Sequence, residues 1–130
     1  MRKFPFTRQT DESLILVKVL VNASALYLAL DTGATHTVID TTALMLAGCS
    51  PILSGADTKL ETASGIVSAD MYEVTVFESL GIHKNAFPVH SYDLIANGVL
   101  VEIDGVLGLD FFQGHKFCID LKRYEISIEL

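Results

Sequence analysis

Asp31 ends the apolar run Ala25-Leu26-Tyr27-Leu28-Ala29-Leu30 and is followed at once by Thr32-Gly33-Ala34. A run of that length and composition reads as a buried strand, so the carboxyl is delivered at a strand end into a tight turn. Gly33 tolerates close backbone approach, and its N–H can reach back to the Asp31 carboxylate. Thr32 sets a hydroxyl beside it. A carboxylate placed this way suits acid–base work on a water molecule. That chemistry is strongest when two carboxyls about 3 Å apart share one proton, so that one stays protonated and the other is the base. No second Asp-Thr-Gly or Asp-Ser-Gly occurs in the 130 residues. A paired site of this kind therefore requires a second copy of the chain.

Other chemistries find little support. His83, His90 and His115 form no i,i+4 pair, and no H-E-x-x-H motif occurs, which speaks against zinc. Gly-x-Ser-x-Gly is absent, and Cys118 lies in a strand-like run rather than at a nucleophile turn. Gly105-Val106-Leu107-Gly108 lacks the lysine and spacing of a phosphate loop, so its glycines read as packing positions. Asp104 suits a turn before Gly105, and Asp110 suits capping a short helix or pairing locally. Phe111, Phe112 and Phe117 read as core or interface. His36, three residues after Gly33, either senses pH near the site or is an ordinary loop histidine. No metal or cofactor is expected.

The elements that must position Asp31 are short. Residues 14–21 read as a strand, 22–24 as a turn and 25–30 as a second strand, giving a hairpin that ends at Asp31. Val38-Ile39 continues as a short strand. Asp40 suits the N-cap of a helix over 41–47, with Gly48 as its stop. Residues 51–58 read as loop, and 59–63 and 66–77 flank the hairpin punctuation Ser64-Gly65. Residues 86–92 form a further strand. Residues 117–121 and 124–129 make a terminal hairpin around Lys122-Arg123. The sum is a mostly-β domain of barrel or sandwich type with two brief helical stretches. Residues 1–13, mixed and polar, read as an extended N-terminal arm before a single domain over 14–130.

Half of the residues are apolar and the net charge is −7, with a mean hydropathy of +0.42 and a pI near 4.8. This is a chain with a real core. Its acidity argues against nucleic acid or an anionic membrane as partner. No apolar run approaches the roughly 18–20 residues of a membrane span. The basic start Met1-Arg2-Lys3-Phe4-Pro5 has no apolar signal region, so a cytoplasmic setting is expected, unless the chain is a domain of a larger precursor. Cys49 and Cys118, without metal spacing, are expected free and buried.

Taken together, Leu28-Ala29-Leu30-Asp31-Thr32-Gly33-Ala34-Thr35 with Val38-Ile39, and downstream Val106-Leu107-Gly108-Leu109-Asp110-Phe111-Phe112, resemble the retropepsin-like aspartic proteases. These are single-domain, homodimeric relatives of retroviral proteases. The resemblance implies a closed β-barrel-like acid protease fold with one or two short helices. It implies an aspartic endopeptidase without cofactor, acting as a homodimer on a peptide or protein substrate. Asp31 would be catalytic, one from each subunit. Thr32 would brace the two loops, Gly33 and Ala34 would shape the turn, and Gly108 would let the crossing segment pass close beneath. Ser64 and Gly65 would form the tip of a flap over the substrate, and Ile66 would belong to the same flap. The terminal strand would either interleave with the partner's or stay within one subunit. The alternative is a non-catalytic dimerisation or peptide-binding module on the same scaffold.

Overall fold

The computed structural model describes residues 1–52, 58–62, 65–94 and 103–130. In β2 (Leu16–Val21), Val17, Val19 and Val21 are buried and Lys18 between them is exposed, the alternation of a half-buried strand. β2 pairs antiparallel with β3 (Ser24–Leu30), with Val21 opposite Ser24. Only Asn22 and Ala23 remain for the turn, and both take positive φ, at 48° and 68°. This is the two-residue turn whose twist matches paired strands, and asparagine tolerates it better than most residues. Asn22 is also tied to β8 (Met71–Ser79): its N–H donates to the Val76 carbonyl at 2.9 Å and its Oδ1 accepts the Val76 N–H at 3.0 Å.

β3 delivers the chain to Asp31. Beside it runs β10 (Gly105–Leu107), parallel to β3 and antiparallel to β4 (Val38–Asp40). The space between those strands is narrow at Gly105, where a Cβ would lie 2.0 Å from the Val38 carbonyl oxygen. β4 pairs in parallel with β9 (Ile82–Tyr92), and β9 pairs antiparallel with β8. β8 then pairs with β2 through Phe77 and Glu78. The ring β2-β3-β10-β4-β9-β8 is thereby closed into a six-stranded barrel. The two-residue β5 (Ser50–Pro51) is added to the same edge of β8 at Tyr72 and Glu73.

The barrel interior is filled by Leu28, Ile39, Val74, Val89 and Leu107, with Phe77, Phe87 and Phe111 in mutual ring contact. α1 (Thr41–Leu46) begins where Asp40 accepts the Ala43 N–H at 3.1 Å, and the chain leaves it through Gly48 at φ 79°. α2 (Leu109–Phe112) is a single turn whose Phe111 and Phe112 are buried. No helix among the described residues is long and apolar enough to cross a membrane.

A second, three-stranded sheet has the order β1 (Arg2–Pro5), β12 (Glu125–Glu129), β11 (Lys116–Asp120), all antiparallel. The terminal strand thus lies between two strands of its own chain. Residues 2–5, read from sequence as an arm, are extended and hydrogen-bonded, and Phe6 after them is buried against Tyr124. Two expectations change. The run 66–77 is two strands, β7 (Gly65–Ala69) and β8, because the chain breaks at Asp70, whose carbonyl turns to Ser91. Cys49 and Cys118 are both free, but only Cys49 is buried. β11 is an edge strand in which Phe117 and Ile119 pack on the core, and the strict alternation of a strand turns Cys118 outward.

Candidate active site

The loop from Asp31 to Thr37 rests on the segment from Leu107 to Asp110. The Asp31 N–H donates to the Leu107 carbonyl at 3.1 Å, which continues the parallel β3–β10 ladder by one residue. The chain then turns: the Ala34 N–H donates to the Asp31 carbonyl at 3.1 Å. Within the turn the Gly33 N–H donates to the Asp31 Oδ1 at 2.9 Å. Asp31, Thr32 and Gly33 are all exposed, so this carboxylate is oriented by its own loop and open to solvent on its other side.

The supporting segment approaches from beneath. The Leu109 N–H donates to the Ala34 carbonyl at 2.8 Å and the Asp110 N–H to the Thr35 carbonyl at 3.2 Å. Gly108 makes this approach possible: a Cβ there would lie 2.6 Å and 2.7 Å from the His36 carbonyl carbon and oxygen, and 2.9 Å from the Ala34 oxygen. The far end of the loop is fastened by Thr37, which is fully buried. Its hydroxyl donates to Asp110 Oδ1 at 2.7 Å and accepts the Gly108 N–H at 3.1 Å, while its own N–H donates to Asp110 Oδ2 at 3.0 Å. Asp110 therefore does more than the local capping expected of it. It accepts the Phe111 N–H at 2.9 Å, but its carboxylate also reaches across the fold to the Asp31 loop.

Two histidines meet at this loop. His36 is exposed, with Nδ1 3.0 Å from the Thr35 hydroxyl. Its ring lies edge-on to that of His90, with centroids 4.9 Å apart and planes at 90°. His90 is buried in β9. Burial lowers its pKa from the ordinary histidine value, and the charge of His36 adds to that; Asp110 acts in the opposite sense. Among the described residues, no group of three or more His, Cys, Asp or Glu side chains is placed to hold a metal ion. A groove of about 440 Å³ lies elsewhere, between Lys18 and Leu20 of β2 and Leu80 and Ile82 at the β8–β9 turn, and includes no residue of the Asp31 loop.

A family model for aspartyl proteases matches residues 17–111, which takes in the whole loop and its supporting segment. The chain belongs to the aspartyl protease family. Within that family its fold is retropepsin-like. A retropepsin-like aspartic protease from Rickettsia conorii superposes with a TM-score of 0.66 at 17% identity, covering 98% of this chain and 89% of the other. The EIAV protease, solved with an inhibitor, superposes with a TM-score of 0.62 at 22% identity, covering 82% and 91%. No curated protein sequence matches the chain.

Of the residues singled out in the sequence, Asp31, Thr32, Gly33, Ala34 and Gly108 are brought together here. Gly65 and Ile66 belong to a separate hairpin, β6 (Thr58–Thr62) with β7, in which Thr62 is opposite Gly65. Ser64 lies outside the described residues. Sequence reasoning gave Thr37 no role and weighed His90 only as a zinc ligand. Nothing local marks either one. Their roles come from partners on distant segments, Asp110 for Thr37 and the His36 loop for His90.

Proposed function

We propose that this chain is an aspartic endopeptidase that works as a homodimer, with one Asp31 from each subunit at a shared site. The observation that carries this reading is the exposed Asp31 carboxylate, pinned on one side by the Gly33 N–H at 2.9 Å and bare on the other. One such carboxylate cannot be both acid and base in a single step. Two of them, brought to about 3 Å across a two-fold axis, hold one proton between them because both cannot ionise cheaply. The ionised member takes a proton from a bound water, whose oxygen attacks the peptide carbonyl carbon. The protonated member hydrogen-bonds the carbonyl oxygen. Proton transfer to the amide nitrogen then lets the carbon–nitrogen bond break.

In this reading Thr32, exposed beside Asp31, braces one loop against the other. Gly33, Ala34 and Gly108 keep the turn in shape. The β6–β7 hairpin, to which Gly65 and Ile66 belong, is the flap that closes over an extended peptide and pairs with it as a strand would. The chemistry uses no metal or cofactor.

The experiment is cleavage of a diverse peptide library by the wild-type chain and by Asp31→Asn, at concentrations spanning the monomer–dimer transition. Cleavage is expected to require Asp31 and to fall away on dilution as the dimer dissociates. Full activity of Asp31→Asn sinks the mechanism. A folded dimer that binds peptides and never cleaves them identifies a binding module instead.

A further inference from the structure

His90 occupies a junction. Its N–H donates to the Thr37 carbonyl at 3.0 Å, so β9 holds the end of the Asp31 loop. Its register partners are Val38 on β4 and Met71 on β8. The next residue, Ser91, donates from its N–H at 2.8 Å and its hydroxyl at 3.1 Å to the carbonyl of Asp70, the break between β7 and β8 at the base of the β6–β7 hairpin. Two consecutive residues of β9 thus tie loop and hairpin base to one strand. Among the described residues, His90 Nδ1 is the buried side-chain polar atom that has no hydrogen-bond partner.

We propose that His90 is a positioning residue for the Asp31 loop, whose neutral imidazole alone fits against that loop, so that its protonation loosens the loop and, through the adjacent Ser91, the hairpin base. A neutral imidazole has one N–H and one bare lone pair, and the lone pair can be the unpartnered Nδ1. The imidazolium has an N–H on both nitrogens. Its Nδ1–H would be buried without an acceptor, and its charge would lie against the edge-on ring of His36. The titratable groups facing His90 are His36 from the loop and Asp110 from α2. Asp40, two positions along β4 from Val38, stands opposite Tyr92 and its carboxylate is engaged by the Ala43 and Leu94 N–H groups.

The direction follows from linkage. A histidine whose folded pKa lies below its ordinary value of about 6.5 binds protons less readily in the folded state than in the unfolded one. Its contribution to stability is fully present above about pH 6.5 and is lost as the pH falls toward and through the folded pKa. Loop and hairpin are therefore held at neutral pH and released in acid. The consequence for turnover rests on the protease reading, while the coupling itself does not.

The test is an imidazole and amide nitrogen NMR titration of Asp31→Asn from about pH 8 to about pH 4.5, the range in which histidines charge. This variant removes the catalytic carboxyl's own titration and any self-cleavage. His90 is expected to titrate below the ordinary histidine value of about 6.5, with the amides of Thr35, Thr37 and Met71 shifting at the same midpoint. In His90→Phe that shared step should vanish. An ordinary midpoint for His90, or loop amides that ignore it, overturns the proposal without recourse to any variant of His90. Coupling without cleavage by the wild-type chain would uphold the latch and remove the protease. Cleavage without coupling would do the reverse.

Discussion

Asp110 holds Thr37 by both of its donors, the backbone N–H at Oδ2 and the hydroxyl at Oδ1, 3.0 Å and 2.7 Å away. The hydroxyl's lone pair is used as well, by the Gly108 N–H at 3.1 Å. A buried threonine, a carboxylate from α2 and the backbone of the crossing segment thus form one closed set of hydrogen bonds. The Asp31 turn is six residues upstream of its far anchor, and this set is that anchor.

Removing the carboxylate should be costly. Asp110→Ala leaves the Thr37 N–H and hydroxyl buried without their acceptor, and the expected loss is about 2–3 kcal/mol, from hydrogen bonds to a charged group and a stranded donor. Thr37→Val, which retains the N–H bond, should lose less, and Thr37→Ser least. Urea denaturation of the three variants gives the order. An unchanged midpoint for Asp110→Ala would show that the contact does not hold the loop.

Gly108→Ala tests the close approach directly. The added methyl would meet backbone atoms of His36 and Ala34 at 2.6–2.9 Å, and backbone cannot swing aside as a flexible side chain can. Overpacking of this kind costs about 1–3 kcal/mol. The strain falls on the Asp31 loop, so peptide cleavage should drop further than the stability loss alone predicts. Parallel measurement of melting temperature and kcat separates the two effects.

The α1 cap gives a milder prediction. Asp40 accepts the Ala43 N–H at 3.1 Å and the Leu94 N–H at 3.2 Å with its two oxygens. Asp40→Ala should cost about 1–2 kcal/mol, in the upper part of the range for a lost N-cap. Asp40→Ser, which can still cap, should recover about half of it, read by the same denaturation experiment.

The hairpin into Asp31 and the Asp40 cap were legible because their signals are local. Runs of aliphatic and β-branched residues mark β2 and β3, Asn22 marks the turn, and Asp40 with Gly48 brackets α1. Asp31-Thr32-Gly33 was legible for the same reason, since the N–H that orients the carboxylate is two residues away. What escaped is non-local. Asp110 looks like a capping residue because its first partner, Phe111, is adjacent, and nothing nearby announces Thr37. The break at Asp70 was hidden within a run rich in apolar and β-branched residues, because its cause is a bond to Ser91 on another strand. The outward turn of Cys118 depends on which face of the terminal sheet the core covers, the face of Phe117 and Ile119, and only the assembled fold decides that.

The two cysteines should separate cleanly in a thiol-labelling experiment. Burial pushes the Cys49 thiol above its ordinary pKa, which lowers its thiolate fraction at neutral pH, whereas Cys118 is exposed on β11. One thiol is expected to react with a small disulfide reagent in the native protein, and the second only after denaturant is added. Cys118→Ser should abolish the fast phase. Two fast thiols in the native wild-type chain would contradict the buried placement of Cys49.

The sheet that holds both termini bears on the order in which the molecule is made. β12 has β1 on one edge and β11 on the other, all from one chain, so its backbone bonding is complete before any second copy arrives. Refolding should therefore proceed at a rate that does not depend on protein concentration, with any pairing of copies following as a separate, second-order event between finished bodies. On the proposed homodimeric reading, the finished single chain is inert and becomes competent only by encounter, so its abundance in the cell, rather than its folding, would be the quantity that switches it on.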